Sequence, residues 1–187
     1  MSEADTRIHL CLDACRQNNR TALVSFITAG DPGPSYTVAA LHSLVAGGVD
    51  ILELGIPFSD PEAEGPSIQA ANERALAHGI TLAQVLQMVE EFRTQDTQTP
   101  VVLMGYLNSV LAMEDFAERA AGAGVDGLIM VNLPPEEGDH LQQKLSANNI
   151  DLIYLLAPTT TDERVRQIAA KASGFIYYVS LKGITGA

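Results

Sequence analysis

A glutamate stands inside a hydrophobic, strand-like run, DILELGI at 50–56. Glu53 lies two positions from Ile51 and so on the same face of an extended chain. A carboxylate there must be paired, protonated or used, because isolated burial of its charge is costly. Near the rim of a fold, burial raises the pKa of such a group and suits it to general acid–base work at neutral pH. The opposed reading is a structural carboxylate bonded to a neighbouring strand. The segment that follows, IPFSDPEAEGPS at 56–67, holds three prolines, a glycine and three acids. A loop this rigid and acidic reads as an active-site or partner-binding loop rather than a simple crossover. Asp60, Glu62 and Glu64 cannot all be catalytic, and each is equally explained as a solvated charge or as the cap of a helix beginning near Ser67.

The other residues that could do chemistry are fewer. Cys11 and Cys15 lie four apart in a helical stretch, on one face, with His9 nearby. A metal site there lacks a fourth ligand and any distant partner, so two reduced thiols in a cytosolic protein is the better reading. His9, His42, His78 and His140 are scattered in helices or near helix ends and read as surface histidines. No metal is expected.

The elements that must position these residues alternate regularly. Apolar, β-branched runs occur at 22–27, 50–56, 100–104, 126–131, 151–156 and 175–180, starting about 25 residues apart except for a second gap of about twice that. Each is nearly continuously apolar, as in strands covered on both faces of a parallel sheet. Helices are expected at about 5–18 and at 35–46, 82–94, 135–147 and 161–172, with Thr81 as an N-cap and acids in the first turns of the last two. The stretches AGGVDILELG at 46–55 and AGAGVDGLIM at 121–130 echo one another, each a helix end, a glycine turn and a strand. This alternation implies right-handed βαβ crossovers. An open doubly wound sheet and a (β/α)8 barrel both satisfy it. No G-x-G-x-x-G follows the first strand, and polar residues gather at the C-terminal ends of many strands: Thr28, Asp31, Glu53, Tyr106, Asn108, Asn132, Thr159, Thr160, Ser180 and Thr185. Function spread around one rim is the barrel arrangement, and the barrel is favoured.

Composition narrows the function classes. With 23 acidic against 11 basic side chains, the net charge of −12 leaves no broad basic patch and argues against nucleic-acid partners. No apolar run is long enough to cross a membrane and no basic-then-apolar leader is visible, so a cytoplasmic protein is expected. An apolar fraction of 47% supports a packed core, and a charged fraction of 18% is too low for disorder.

The motif GIPFSDPEAEGPSIQ, preceded by Glu53 and Leu54, resembles the signature of the tryptophan synthase alpha subunit family. FITAGDP at 26–32, VVLMGYLN at 101–108, VDGLIMVNLPPEE at 125–137, APTTTDERV at 157–165 and YYVSLKGITGA at 177–187 agree with it, in the right order over nearly the whole chain. The resemblance implies a TIM barrel and a lyase of tryptophan biosynthesis that cleaves indole-3-glycerol phosphate to indole and glyceraldehyde 3-phosphate by a retro-aldol reaction. It makes Glu53 the acid/base at indole C3 and on the glycerol side, and Glu64 the carboxylate that holds the indole nitrogen proton. Phe26 matches an apolar contact to the indole ring, Tyr177 a tyrosine near the substrate, Gly186 a backbone donor to the phosphate, and Thr185 a loop residue that assists closure and orients the catalytic glutamate. It implies no cofactor in this chain and, as partner, a PLP-dependent beta subunit that receives indole through a tunnel in an alpha2beta2 heterotetramer. Rim loops at 57–66, 105–110 and 132–136 would make that contact, with Pro57, Asp60, Asn108 and Asn132 at the interface.

The chain departs from the family pattern at Glu64, where Asp is usual, at Asn132, often Asp, and at Glu62, usually apolar. One extra methylene moves a carboxylate by about 1.5 Å, and a misplacement of about 1 Å can cost on the order of 100-fold in rate. Weaker catalysis or altered subunit coupling is therefore expected, with a gain in rate for Glu64→Asp. Two other readings compete: a catalytically impaired chain that serves as a binding or allosteric partner of the beta subunit, and another phosphate-binding barrel enzyme, which the loop carrying Glu64 argues against. Finally, six strands can be counted in 187 residues, whereas a closed barrel needs eight and typically about 250 residues. The expectation is a single domain over 1–187: an N-terminal helix and the first six βα units of a barrel, without the last two units and most of the phosphate cradle, from a truncated, cleaved or incompletely recorded chain. Open sheet edges would make it prone to aggregate.

Overall fold

Six strands lie in sequence order in one parallel sheet: β1 (Val24–Thr28), β2 (Ile51–Gly55), β3 (Val101–Gly105), β4 (Gly127–Met130), β5 (Asp151–Leu156) and β6 (Ile176–Tyr178). The computed structural model describes residues 6–180. Parallel neighbours in unbroken order, each reached through helices, form a half-barrel of βα units. The helices are α1 (Arg7–Gln17), α2 (Thr37–Ala46), α3 (Pro66–Ala77), α4 (Leu82–Arg93), α5 (Leu107–Leu111), α6 (Phe116–Ala123), α7 (Asp139–Ala147) and α8 (Asp162–Lys171). None of them is long and apolar enough to cross a membrane.

The continuous apolar runs are explained by two cores, one on each face of the sheet. Odd positions of β2 and β5 and even positions of β3 point inward, where Ile51, Val102, Ile129 and Ile153 meet Ile8 of α1. The alternate residues Leu52, Leu54, Leu103, Leu128 and Leu152 face outward and pack under Val85, Val89 and Phe92 of α4 and Ala120 of α6. Helix α1 thus plugs the N-terminal end of the sheet. Asp126, at the start of β4, fixes it there: one carboxylate oxygen takes Arg7 Nη1 at 2.8 Å and the other takes Arg93 Nη2 at 2.7 Å and the Val101 N–H at 2.8 Å.

Local chemistry starts and stops the helices largely as the sequence predicts. Thr81 caps α4 in a full capping box with Gln84, and Thr161 caps α8 through the Arg164 N–H. The double-length second gap holds both α3 and α4. Three expectations need correction. The helix expected from 35 begins at Thr37, whose hydroxyl instead accepts the Gly30 N–H at 2.8 Å and ties down the exit of β1. The helix expected over 135–147 is broken at Gly138 into a single 3-10 turn, Pro135–Glu137, and α7. The Tyr154 hydroxyl lies against Gly138 where a β-carbon would stand, so the break follows packing on β5. His42, expected at the surface, packs tilted against Phe92 with ring centroids 4.7 Å apart, and its Nε2 is buried.

Candidate active site

The inward faces of β1, β2, β3 and β6 deliver the site. Phe26 and Glu53 are register partners across β1 and β2, and Glu53 is in turn opposite Val102 of β3. Phe26, Glu53, Met104 and Tyr177, with Glu64 and Ile68 from the β2–α3 segment, line one cavity. It lies toward the C-terminal ends of the strands, above the Ile8 plug. The side chains enclose about 30 Å³, less than a bicyclic ring occupies, so such a ring enters only if lining side chains move. Larger hollows, of about 380 Å³ beside Cys15 and about 310 Å³ between the β4 and β5 exits, hold no acid–base pair.

Glu53 is 5% exposed, and burial alone pushes its carboxyl up from 4.5 to about 7. Such a group both gives and takes a proton at neutral pH. Glu64 is also buried and raised by burial, against which a hydrogen bond from Asn72 works. Tyr177 is raised by burial and then by the charge of Glu53. Gly55, the last residue of β2, leaves room for the Phe26 ring: a β-carbon there would stand 2.6 Å from Cζ.

Burial separates the three loop acids that sequence leaves equivalent. Asp60 and Glu62 are exposed, whereas Glu64 is turned inward. The loop is braced by Tyr106, which stacks on Phe58 at 4.7 Å and whose hydroxyl accepts the Ala63 N–H at 3.1 Å. Asn72 of α3 accepts the Phe58 N–H at 3.2 Å and donates to Glu64 Oε2 at 2.7 Å. Sequence reasoning missed Asn72, Met104 and Ile68. Asn72 had a signal, since it shares the buried stripe of α3 with Ala71 and Ala75. Met104 had one too, two residues beyond Val102 on the inward face.

Elsewhere on the rim, Asp60, Asn108 and Asn132 are exposed, but Pro57 is buried and offers a partner little surface. The side-chain Oδ1 of Asn132 accepts the Leu107 N–H at 2.8 Å, joining the β3 and β4 exits. Asp31 pairs with Arg74 through both oxygens, at 2.6 and 3.0 Å. Thr185 and Gly186 lie outside the described residues. The thiols of Cys11 and Cys15 do gain a distant neighbour: Asp50 brings an oxygen within 4.8 Å of both. That carboxylate already takes Arg20 at 2.6 and 2.7 Å and the Leu23 N–H at 2.7 Å. Burial first, then Cys15 and Asp50, push the Cys11 thiol up to about 11, which keeps it protonated.

Comparison with known proteins agrees with this geometry. The profile of the family described as tryptophan synthase alpha chain matches residues 12–187. The chain is 56% identical over 183 residues to the tryptophan synthase alpha chain of Marinobacter nauticus, covering 97% of this chain and 68% of that one. It is 57% identical over 182 residues to that of Alkalilimnicola ehrlichii, covering 96% and 66%. The crystal structure of tryptophan synthase subunit alpha from Legionella pneumophila superposes with a TM-score of 0.91 at 51% identity, covering 94% of this chain and 68% of that one. The Mycobacterium tuberculosis tryptophan synthase structure gives 0.91 at 38% identity, covering 97% and 71%. The chain thus spans about two thirds of the length of its relatives. It belongs to the tryptophan synthase alpha chain family, lyases that cleave indole-3-glycerol phosphate.

Proposed function

We propose that this chain carries the acid–base centre for retro-aldol cleavage of indole-3-glycerol phosphate, with Glu53 and Glu64 as catalytic residues. The observation that carries the reading is the convergence of both carboxyl groups, Phe26 and Tyr177 on one cavity. Glu53, as an acid, gives a proton to indole C3. As a carboxylate it then takes the proton of the adjacent glycerol hydroxyl while the carbon–carbon bond breaks, the bond's electron pair returning to the ring and the alcohol carbon becoming the aldehyde. A carboxyl group raised to about 7 suits both halves of that exchange. Glu64 takes the indole N–H proton as C3 is protonated and returns it to the nitrogen as the electron pair re-enters the ring, so that neutral indole leaves and both carboxyl groups are restored. Phe26 and Tyr177 flank the ring. Thr185 and Gly186 belong to the same proposal, as loop contacts to Glu53 and the phosphate.

The exposed rim at Asp60, Asn108 and Asn132, with Pro57 behind it, is the face that receives a beta subunit, in which PLP does the subsequent chemistry. In this reading the partners form an alpha2beta2 complex in the cytoplasm, and residues 1–187 make one domain, the first six units of an eightfold barrel. Support for the barrel comes from the unbroken strand order β1 to β6 and the superposition on alpha subunits. The deciding experiment measures indole released from indole-3-glycerol phosphate, with and without a beta subunit. Glu53→Gln is expected to lose on the order of 100- to 10,000-fold in rate. Persistence of activity in that variant would sink the assignment of Glu53.

A further inference from the structure

Glu64 sits near the end of an acidic loop between β2 and α3, and a loop alone does not hold a carboxylate to the tolerance that proton transfer needs. The group that holds it comes from α3. Asn72 is 4% exposed, and both ends of its side-chain amide are engaged. Oδ1 accepts the Phe58 N–H at 3.2 Å, while Nδ2 donates to Glu64 Oε2 at 2.7 Å and to the Ile68 carbonyl at 3.1 Å. The partners fix which way the amide faces, because a backbone N–H only donates and an ionised carboxylate only accepts. One side chain therefore ties the beginning of the loop to its end.

We propose that Asn72 is a positioning residue: it anchors Glu64 through Oε2, leaving Oε1 as the oxygen that takes the substrate's N–H proton. This inference rests on the role given to Glu64 above. A charge-assisted hydrogen bond of this kind also favours the ionised form of Glu64 against its burial, as a base requires. The titratable groups around Glu64 are Glu53 and Tyr177 across the cavity, Tyr106 after β3, and Glu62 on the same loop. Asn72 is the side chain that donates a hydrogen bond to its carboxylate among the described residues.

The test uses Asn72→Asp, which has nearly the same shape and keeps an acceptor for the Phe58 N–H, but replaces the donor to Glu64 with a second carboxylate. Asn72→Ala, which removes both bonds, is the companion. Two readouts are taken on the full chain: the titration of the Glu64 side-chain carboxyl by 13C NMR, and kcat and KM for indole release. The titration midpoint of Glu64 is expected to rise in Asn72→Ala and further in Asn72→Asp. In parallel kcat falls about 10- to 100-fold with KM little changed, and its acid limb moves to higher pH. In a Glu64→Gln background Asn72→Asp is expected to cost nothing more. An unmoved Glu64 midpoint in Asn72→Asp overturns the proposal, as does a moved midpoint with unchanged kcat. A wild-type chain that releases no indole would count against the proposed function, and the titration would still decide whether Asn72 sets the state of Glu64.

Discussion

Phe26 and Glu53 stand opposite one another in the β1–β2 ladder, with the phenylalanine ring extending over Gly55 two residues further along β2. The apolar wall and the carboxyl group of the site are thereby set by a single register. A slip of β1 by one residue would turn Phe26 into the outer core and leave Glu53, which β3 also holds in register, without its apolar wall. Gly55→Ala tests this relationship, since its β-carbon would meet Cζ of Phe26 at 2.6 Å. Relief requires the ring to move away from Glu53, at a cost of about 1–3 kcal/mol for overpacking. The variant is expected to melt lower and to bind indole-3-glycerol phosphate more weakly, measured by calorimetry and by KM.

Tyr106→Phe removes the acceptor for the Ala63 N–H but keeps the ring stacked on Phe58. The loss is that of one hydrogen bond, about 1 kcal/mol, and it falls on the loop rather than on the sheet. Faster amide exchange confined to residues around Ala63, with an unchanged global melting temperature, is the expected outcome. Unaltered exchange there would show that the loop is held without Tyr106.

The sequence specifies the six strands well because each is buried on two faces, so that its apolar run is unbroken. Thr81 and Thr161 mark helix starts for an equally local reason. What it conceals is decided between elements. Gly138 breaks a helix because Tyr154 of β5 reaches it, and His42 leaves the surface because Phe92 lies beside it. Helix α6 is concealed because its small residues Ala117, Ala120 and Ala123 give weak periodicity yet are buried, and α5 because it is only five residues long. In the site, Glu53 declares itself as a carboxylate within a strand. Glu64 is singled out only by the family resemblance, because by type and spacing Asp60, Glu62 and Glu64 are alike and differ in which one the loop turns inward, where Asn72 and Tyr106 of other elements hold it.

Asp126 is the stabilising counterpart at the opposite end of the sheet. It accepts from Arg7, Arg93 and the Val101 backbone while 5% exposed. Removing one partner of a buried ion pair strands the others, at about 3–5 kcal/mol. Asp126→Ala is expected to lower the melting temperature by roughly 10 °C. Arg7→Ala should cost less, since that side chain is 36% exposed. Thermal denaturation of the two variants checks the order, and equal losses would mean that Arg93 does not carry the pair.

The raised pKa of Glu53, the proposed acid–base residue, makes it a source of instability that depends on pH. The folded value, about 7, lies above the ordinary 4.5, so between those values the folded chain holds a proton that the unfolded chain has released. Stability therefore falls as pH rises from about 4.5 and levels off above about 7. The full difference corresponds to about 3 kcal/mol. Glu53→Gln keeps the shape and cannot ionise, so it escapes this loss. The variant is expected to match the wild type near pH 4.5 and to exceed it by up to about 3 kcal/mol at pH 8, while losing indole release. Urea denaturation of both proteins across that range measures the divergence. Parallel curves would mean that Glu53 is ionised at no cost in the folded chain, and the acid half of its proposed role would then fail.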